Sequence, residues 1–479
     1  MMENQSRKKI NKRTIFEILL ILVILALAAM YFLKFTGING GVKVYYYTPD
    51  GTTEDGPYAA GSLVTIKDGP EIDGYTFIGW RDEQGNIEKR SEVYVNEDTY
   101  FSAVYSVGLD TDDHMVYLSN DNGLFRPADP ITRKEAVMMF YKLINTGTVG
   151  KGRFTDVSET DECYSACASL KDLGVIHGKY FHPDDYMSRA EFAQMLSCFC
   201  PGYAEYMDDT ESEEEILRSE VTVIMSKVLN RPGDSKNNTS MVGTFLDVSP
   251  KSDYFWAVAD ATIEHEHKFD GGKEVWTSAK ALKEYEPGYF FVNGALHYID
   301  ENGSPLLDGE VDGLKFNSRG EETSGDEELD RYVQKIIADV CDSEDMAQSD
   351  MLKAVFKFVS DPDNYNYLTR NIYEMGDDSW VASEAKTMIK TKKGNCYNFA
   401  AVFCELARGV GYDAKAVSGT MGIDLRPHAW VEIEKNGEMM LYDPEYQYVH
   451  PELNCYQRDS SYKEKYHYHT AGENKDNMG

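Results

Sequence analysis

The sequence predicts a multidomain fold. In chain order it comprises an N-terminal transmembrane helix, a small β-grasp-like domain, an all-α bundle of repeats, a short β-hairpin segment and a C-terminal α+β domain. Three observations carry this reading. The chain has 479 residues, more than one hydrophobic core supports, and about three to five domains are expected at that length. Short strand-like runs fill the stretch from Val44 to Tyr105, apolar residues at helical spacing follow from Ala136, and both patterns return near the C-terminus. A long apolar run stands at the N-terminus behind a cluster of basic residues.

That cluster is Arg7, Lys8, Lys9, Lys12 and Arg13, and the run it precedes extends from Ile15 to Leu33, interrupted only by Glu17. Positive residues stay cytoplasmic, so residues 1–36 are expected to form a cytoplasmic tail and membrane anchor, with everything after Lys34 outside. A cleaved signal peptide competes with this, because Ala26-Leu27-Ala28 has the small residues of a cleavage site. Met30, Tyr31, Phe32 and Leu33 continue the apolar run past that point, which favours an uncleaved anchor.

The formal net charge of -33 argues against nucleic acid as a partner, since binding a phosphate backbone needs clustered Lys and Arg. An anionic ligand would need a local basic pocket. The eight cysteines lack the dense spacing of a disulfide framework, so most are expected as free, buried thiols. They form no zinc-like constellation with the ten histidines, and neither a metal site nor a cofactor is expected.

Residues 41–107 read as short strands, Val44–Thr48, Leu63–Ile66, Tyr75–Trp80 and Thr99–Tyr105, separated by Gly, Pro, Asp and Asn. The pieces Gly74-Tyr75-Thr76-Phe77-Ile78-Gly79-Trp80 and Thr99-Tyr100-Phe101-Ser102-Ala103-Val104-Tyr105 resemble the internalin-type B repeat of Gram-positive surface proteins. That resemblance implies a spacer or adhesion role. Read singly, the aromatics are core residues.

Residues 108–275 contain an internal repeat, a turn followed by an Arg-containing helix start. Its copies are Ile131-Thr132-Arg133-Lys134-Glu135, Met187-Ser188-Arg189-Ala190-Glu191 and Leu217-Arg218-Ser219-Glu220. Thr132 and Ser188 are N-caps with an acid three residues on, the pattern of a capping box; the third copy lacks the hydroxyl. Phe154-Thr155-Asp156-Val157 and Phe245-Leu246-Asp247-Val248 each lead into a further helix. With Phe125-Arg126-Pro127 ahead of the first copy, these residues resemble three S-layer homology repeats. The resemblance implies a three-part helical bundle holding secondary cell-wall polymer, with Arg133, Arg189 and Arg218 facing an anionic sugar. A guanidinium suits that role because its fork meets a carboxylate or phosphate at two points. The alternative is that each Arg caps or bridges within its own repeat. The second and third copies also depart from the family's glycine-rich turn.

Residues 285–320 carry Tyr289-Phe290-Phe291-Val292-Asn293-Gly294, Asn302-Gly303 and Asp312-Gly313, which read as hairpins with tight turns. They resemble one degenerate cell-wall-binding repeat without its leading Trp. An acidic stretch, Glu321–Asp330, separates them from the last domain, residues 325–479, which ends in a polar tail.

In that domain Lys393-Gly394-Asn395-Cys396 precedes a helix whose buried face holds Phe399, Val402, Phe403 and Leu406. Cys396 therefore opens the helix, where unpaired N–H groups and the dipole favour a thiolate. Cys404, two turns on, belongs to the core. Further along, Lys435-Asn436-Gly437-Glu438 is a strong hairpin signal. Pairing Lys435 with Glu438 sets Trp430 opposite Asp443 and His428 opposite Glu445. His428 and Asp443 then share a face as diagonal neighbours, roughly 7–8 Å apart at the backbone, within reach of an imidazole–carboxylate hydrogen bond. A thiol at a helix start and a His oriented by an Asp supply nucleophile, base and orienter.

Together with Gly411-Tyr412-Asp413-Ala414, Val417-Ser418-Gly419, His428-Ala429-Trp430-Val431-Glu432 and Asp443-Pro444, these residues resemble the bacterial transglutaminase-like family from about Val333 to Tyr446. The resemblance implies a papain-like α+β fold with Cys396 as nucleophile, His428 as general base and acid, and Asp443 as orienter. An oxyanion donor is also implied, from the Cys396 N–H with Trp380 or Tyr367 upstream. The expected activity is thiol-dependent acyl transfer or amide hydrolysis on wall peptides or surface proteins. A wall-bound scaffold or adhesin without catalysis is the alternative. The expected setting is the extracellular face of the membrane, in contact with the wall.

Overall fold

The computed structural model describes residues 24–25 and 41–470, except 73–74, 89, 112–113, 145–149, 232–240, 342–345, 370–372 and 374–376. The expected transmembrane segment lies outside the described residues apart from Ile24 and Leu25. No helix among the described residues is long and apolar enough to cross a membrane.

The first unit contains β1 (Val42–Thr48), β2 (Gly51–Tyr58), β3 (Ser62–Thr65), β4 (Thr76–Arg81), β5 (Ile87–Glu88), β6 (Glu92–Val95) and β7 (Thr99–Ser106). Its five-stranded sheet runs β2-β1-β7-β4-β5, with the first and last long strands, β1 and β7, parallel at its centre. β2 was not expected, because Gly51-Thr52-Thr53-Glu54-Asp55-Gly56 has loop composition. It is an edge strand with no buried residue, held by its ladder to β1 rather than by side-chain packing. The unit shares a continuous core with the helical region behind it. The Tyr105 N–H donates to the Leu173 carbonyl at 2.9 Å, and Arg81, 1% exposed, donates to the Gly174 carbonyl at 3.2 Å.

The helical region contains α1 (Arg133–Ile144), α2 (Tyr164–Asp172), α3 (Arg189–Ser197), α4 (Arg218–Val228) and α5 (Phe255–Thr262). The segments entering α1, α3 and α4 close a ring. Ile131 N–H donates to Ile216 C=O, Ile216 N–H to Met187 C=O and Met187 N–H to Ile131 C=O, each at 3.0 Å. All three side chains are fully enclosed. The first acid of each helix divides its two oxygens. Oε2 of Glu135, Glu191 and Glu220 accepts from the backbone N–H of Thr132, Ser188 and Leu217 in its own helix. Oε1 takes the Arg of another helix: Arg133 pairs with Glu191, Arg189 with Glu220 and Arg218 with Glu135. The arginines thus bridge between helices around the ring, and neither cap nor bridge within their own.

Arg218 corrects the expectation that it faces a sugar. Its side chain is 1% exposed, and its guanidinium donates to the carbonyls of Phe125 at 2.8 Å and Ser119 at 2.9 Å besides pairing with Glu135. Arg133 and Arg189 keep 22% and 20% exposure. The two Phe-containing motifs supply the loops' anchors. Asp156 accepts from the N–H groups of Phe181 and His182 at 2.8 and 2.7 Å, and Asp247 from those of Phe125 and Arg126 at 2.9 and 2.6 Å.

A hairpin, β8 (His265–Asp270) with β9 (Lys273–Ala279), follows α5. Two more, β10 (Gly288–Val292) with β11 (Ala295–Ile299) and β12 (Gly309–Val311) with β13 (Leu314–Phe316), lead to the last domain. There α6 (Glu327–Val340), α7 (Gln348–Ser360), β14 (Asn366–Tyr367), α8 (Val381–Thr391), β15 (Lys393–Gly394) and α9 (Cys396–Gly409) precede a four-stranded antiparallel sheet. The sheet has the order β18-β17-β16-β19, from β16 (Ala414–Met421), β17 (Arg426–Lys435), β18 (Glu438–Tyr442) and β19 (His469–Thr470). Two short helices, α10 (Pro444–Val449) and α11 (Ser460–Lys465), join its last strands. α9 is buried along almost its whole length, so the core forms around it. None of the eight cysteines is disulfide-bonded, and all but Cys200 are buried.

Candidate active site

Cys396 is the first residue of α9, the position whose N–H has no intrahelical acceptor. Asn395 caps the helix by accepting from Tyr397 N–H at 3.1 Å, and Asn398 returns the bond by accepting from Asn395 N–H at 3.0 Å. Asn398 is itself held by the Glu384 carbonyl at 3.1 Å and by the Glu384 carboxylate, so α8 fixes the start of α9. Cys404 is fully enclosed and donates to the Ala414 carbonyl, a core thiol.

The hairpin β17–β18 pairs Lys435 with Glu438 and continues to Val431 opposite Tyr442. Past Tyr442 the chain turns into α10, with Asp443 as N-cap accepting from Tyr446 N–H at 2.8 Å. The His428–Glu445 rung expected from the register therefore does not form. The diagonal does: His428 Nε2 lies 2.6 Å from Asp443 Oδ2. With Nε2 engaged, Nδ1 is the nitrogen left to face Cys396, whose sulfur is one of the groups that raise the His428 pKa. Burial works against a charged imidazole here, but the Asp443 carboxylate and the Cys396 sulfur outweigh it. His428 holds its proton well above the ordinary 6.5. The structure thus brings Cys396, His428 and Asp443 together, 9%, 7% and 0% exposed.

Two further residues complete the surroundings. Tyr468 O–H donates to Asp443 Oδ2 at 2.7 Å. It arrives there because β19 pairs with β16 at Gly419, where a Cβ would stand 2.2 Å from the His469 carbonyl oxygen and 2.6 Å from Trp430. Tyr468 lies in the stretch expected as polar tail, and nothing in its spacing points to the site. Glu445 gathers with His428 and Asp443, one donor atom of each within 4.8 Å of the others. The register count had set Glu445 opposite His428, a signal that was available in the sequence. Of the two upstream oxyanion candidates, Trp380 is corrected: it is 2% exposed and its indole N–H donates to the Asp377 carbonyl. Tyr367 is half exposed on β14 beside Cys396 and Glu445.

Burial, with the Asp443 charge, pushes the Glu445 carboxyl from 4.5 up to about 7. A carboxyl raised in the folded state costs nothing below the unfolded pKa, and its cost grows as pH rises toward the folded one. Glu445→Gln is therefore expected to leave stability at pH 4.5 nearly unchanged and to raise it at pH 8 by about 1–3 kcal/mol. Urea unfolding at the two pH values measures the difference.

Two family models match parts of the chain. A model of the transglutaminase-like superfamily matches residues 334–452, and one of the S-layer homology domain matches residues 153–193. The chain thus carries a transglutaminase-like domain and one matched S-layer homology domain. Its sequence has no match among curated proteins. Among solved structures it is similar to a provisionally named cysteine protease from Cytophaga hutchinsonii, at 17% identity, TM-score 0.19, over 26% of this chain and 43% of that one. It is also similar to the periplasmic domain of TgpA from Pseudomonas aeruginosa, at 15% identity, TM-score 0.18, over 35% of this chain and 68% of that one.

Proposed function

We propose that this chain is a cell-surface thiol enzyme that transfers or hydrolyses acyl groups at amide bonds of wall peptides or surface proteins. The observation that carries the reading is the bond of His428 to Asp443 beside Cys396 at its helix start. His428 takes the Cys396 proton. The sulfur attacks the amide carbonyl carbon; a C–S bond forms and the carbonyl π pair moves to oxygen. The Cys396 N–H and the dipole of α9 favour that oxyanion. The adduct collapses, the C–N bond breaks, and the amine leaves with the proton from His428. Neutral His428 then takes a proton from water or from an amine, whose oxygen or nitrogen bonds to the acyl carbon. The C–S bond breaks, the sulfur takes back the proton from His428, and the starting pair returns. Asp443 keeps the ring oriented throughout, and Tyr468 holds Asp443.

The rest of the chain is proposed to keep the enzyme at the envelope. The S-layer homology match supports surface association. The equal treatment of three helix starts around the Arg–Glu ring supports three such repeats over residues 108–275, with Arg133 and Arg189 available to secondary cell-wall polymer. Residues 1–36 would anchor the chain in the membrane, and residues 41–107 would serve as a B-repeat-like spacer. The chain with Arg133→Ala and Arg189→Ala is expected to be retained at least about 10-fold less on purified walls, since each charge-assisted contact contributes roughly 1.5–3 kcal/mol. Undiminished retention would remove these residues from polymer recognition.

The activity is tested by incubating the full chain with wall peptides and a fluorescent primary amine, followed by mass spectrometry. Free acid formed only when Cys396 is present means hydrolysis, and an amine adduct means transamidation. No product, or equal product from Cys396→Ala, would leave a scaffold or adhesin as the reading.

A further inference from the structure

Three of the ten histidines meet in a second, partly buried cluster, remote in sequence from Cys396. The ring centroids of His114 and His267 stand 3.5 Å apart, and those of His114 and His265 5.8 Å apart. Glu274, 1% exposed, reaches His114 Nε2 with Oε2 at 3.1 Å and His265 Nε2 with Oε1 at 3.2 Å. Its Oε1 also accepts from the Trp276 indole N–H at 3.0 Å. Behind His265, Asp260 is 5% exposed; its Oδ2 pairs with Arg231 at 3.2 Å and its Oδ1 lies 3.6 Å from His265 Nε2.

The group is incomplete as it stands. His265 Nδ1 is 2.7 Å from the Ile263 carbonyl, which only accepts, so that nitrogen carries a hydrogen. His114, 7% exposed, has its Nδ1 enclosed without a hydrogen-bond partner among the described residues, a condition native interiors seldom leave unanswered. Two buried carboxylates beside one guanidinium also leave the cluster short of positive charge.

A divalent cation would supply that charge, and donors able to hold it stand beside the carboxylates. We propose that His114, His267 and Glu274 bind one transition-metal dication of the zinc class, with Trp276 and His265 fixing the Glu274 carboxylate from behind. One donor atom from each of the three residues lies within 4.8 Å of the other two. Bonds of about 2.0–2.2 Å around a tetrahedral ion set donors roughly 3.3–3.6 Å apart, close to the 3.1 Å between His114 Nε2 and Glu274 Oε2. Two imidazoles and one carboxylate suit zinc, cobalt or nickel and not calcium or magnesium, which prefer oxygen. His114 and His265 line an open cleft with Tyr285, Phe290 and Gln348, which gives an ion a way in. The ion fastens the loop before α1 to the β8–β9 hairpin. These ligands stand too far apart in the chain to form a sequence motif, and none is a cysteine.

The test strips the full chain with a chelator, adds Zn2+ or Co2+, removes unbound ion, and measures metal content, the Co2+ visible spectrum and the melting temperature. His428→Ala protein is run alongside, because His428, Asp443 and Glu445 are a competing set. The parent and His428→Ala are expected to retain one equivalent and to melt roughly 5 °C higher with metal. His267→Gln and Glu274→Gln are expected to lose both the ion and the shift. No retained ion in the parent, retention unaffected by His267→Gln and Glu274→Gln, or loss confined to His428→Ala would each overturn the proposal. Metal stoichiometry of the parent alone decides the matter should either variant fail to fold.

Discussion

Cys396→Ala protein is expected to turn over amide substrate at least about 10⁴-fold more slowly than the parent, with His428→Ala falling nearly as far and the double variant no further. The two side chains act as one unit. Without His428 the attacking sulfur has no proton acceptor and the departing amine has no donor; without Cys396 there is no nucleophile. The loss should fall on kcat, since neither residue is exposed enough to supply much ground-state binding. Steady-state kinetics of the four proteins measure it. Additive losses, with the double variant slower by the product of the two, would mean that the residues act apart.

Arg218→Ala is expected to destabilise the helical ring by about 3–5 kcal/mol, the cost of leaving a buried ion pair half-empty. Its guanidinium holds the carbonyls of Phe125 and Ser119, pairs with Glu135 and lies over the Phe125 ring at 4.7 Å. Deleting it strands two carbonyls and opens a gap beneath an enclosed aromatic. Arg133→Ala and Arg189→Ala remove the equivalent pairs where water can replace them, and each should cost only about 1 kcal/mol. Thermal unfolding of the three variants should show a melting temperature lower by roughly 10 °C for Arg218→Ala alone. An equal shift in all three would mean that burial does not distinguish them.

How far the sequence could be read depended on the range of the interaction. The Asn436-Gly437 turn fixes its own register locally, so counting back along it put His428 diagonal to Asp443 before any tertiary contact was known. The helix start at Cys396 was equally local, a matter of capping and apolar spacing. Tyr468 was not legible, because it reaches Asp443 only through β19 crossing to β16 over Gly419. Glu135, Glu191 and Glu220 were half legible. Their capping oxygen follows from spacing within the helix, whereas the oxygen that takes another helix's arginine depends on three segments converging. β2 failed for the opposite reason: its composition is that of a loop, and only the adjacent strand makes it extended. Trp380 was named for an N–H that its own local turn had already occupied.

The measurement that bears most directly on the central claim is the rate of Cys396 labelling by a thiol-reactive probe between pH 5 and pH 9, in the parent and in His428→Ala. An ordinary thiol loses about tenfold in rate per pH unit below its pKa. With an imidazolium held by Asp443 well above 6.5 beside Cys396, the parent's rate is expected to stay nearly level across neutral pH. His428→Ala should restore the steep fall. A parent that shows the steep fall itself, or a level profile that survives His428→Ala, would contradict an activated Cys396–His428 pair.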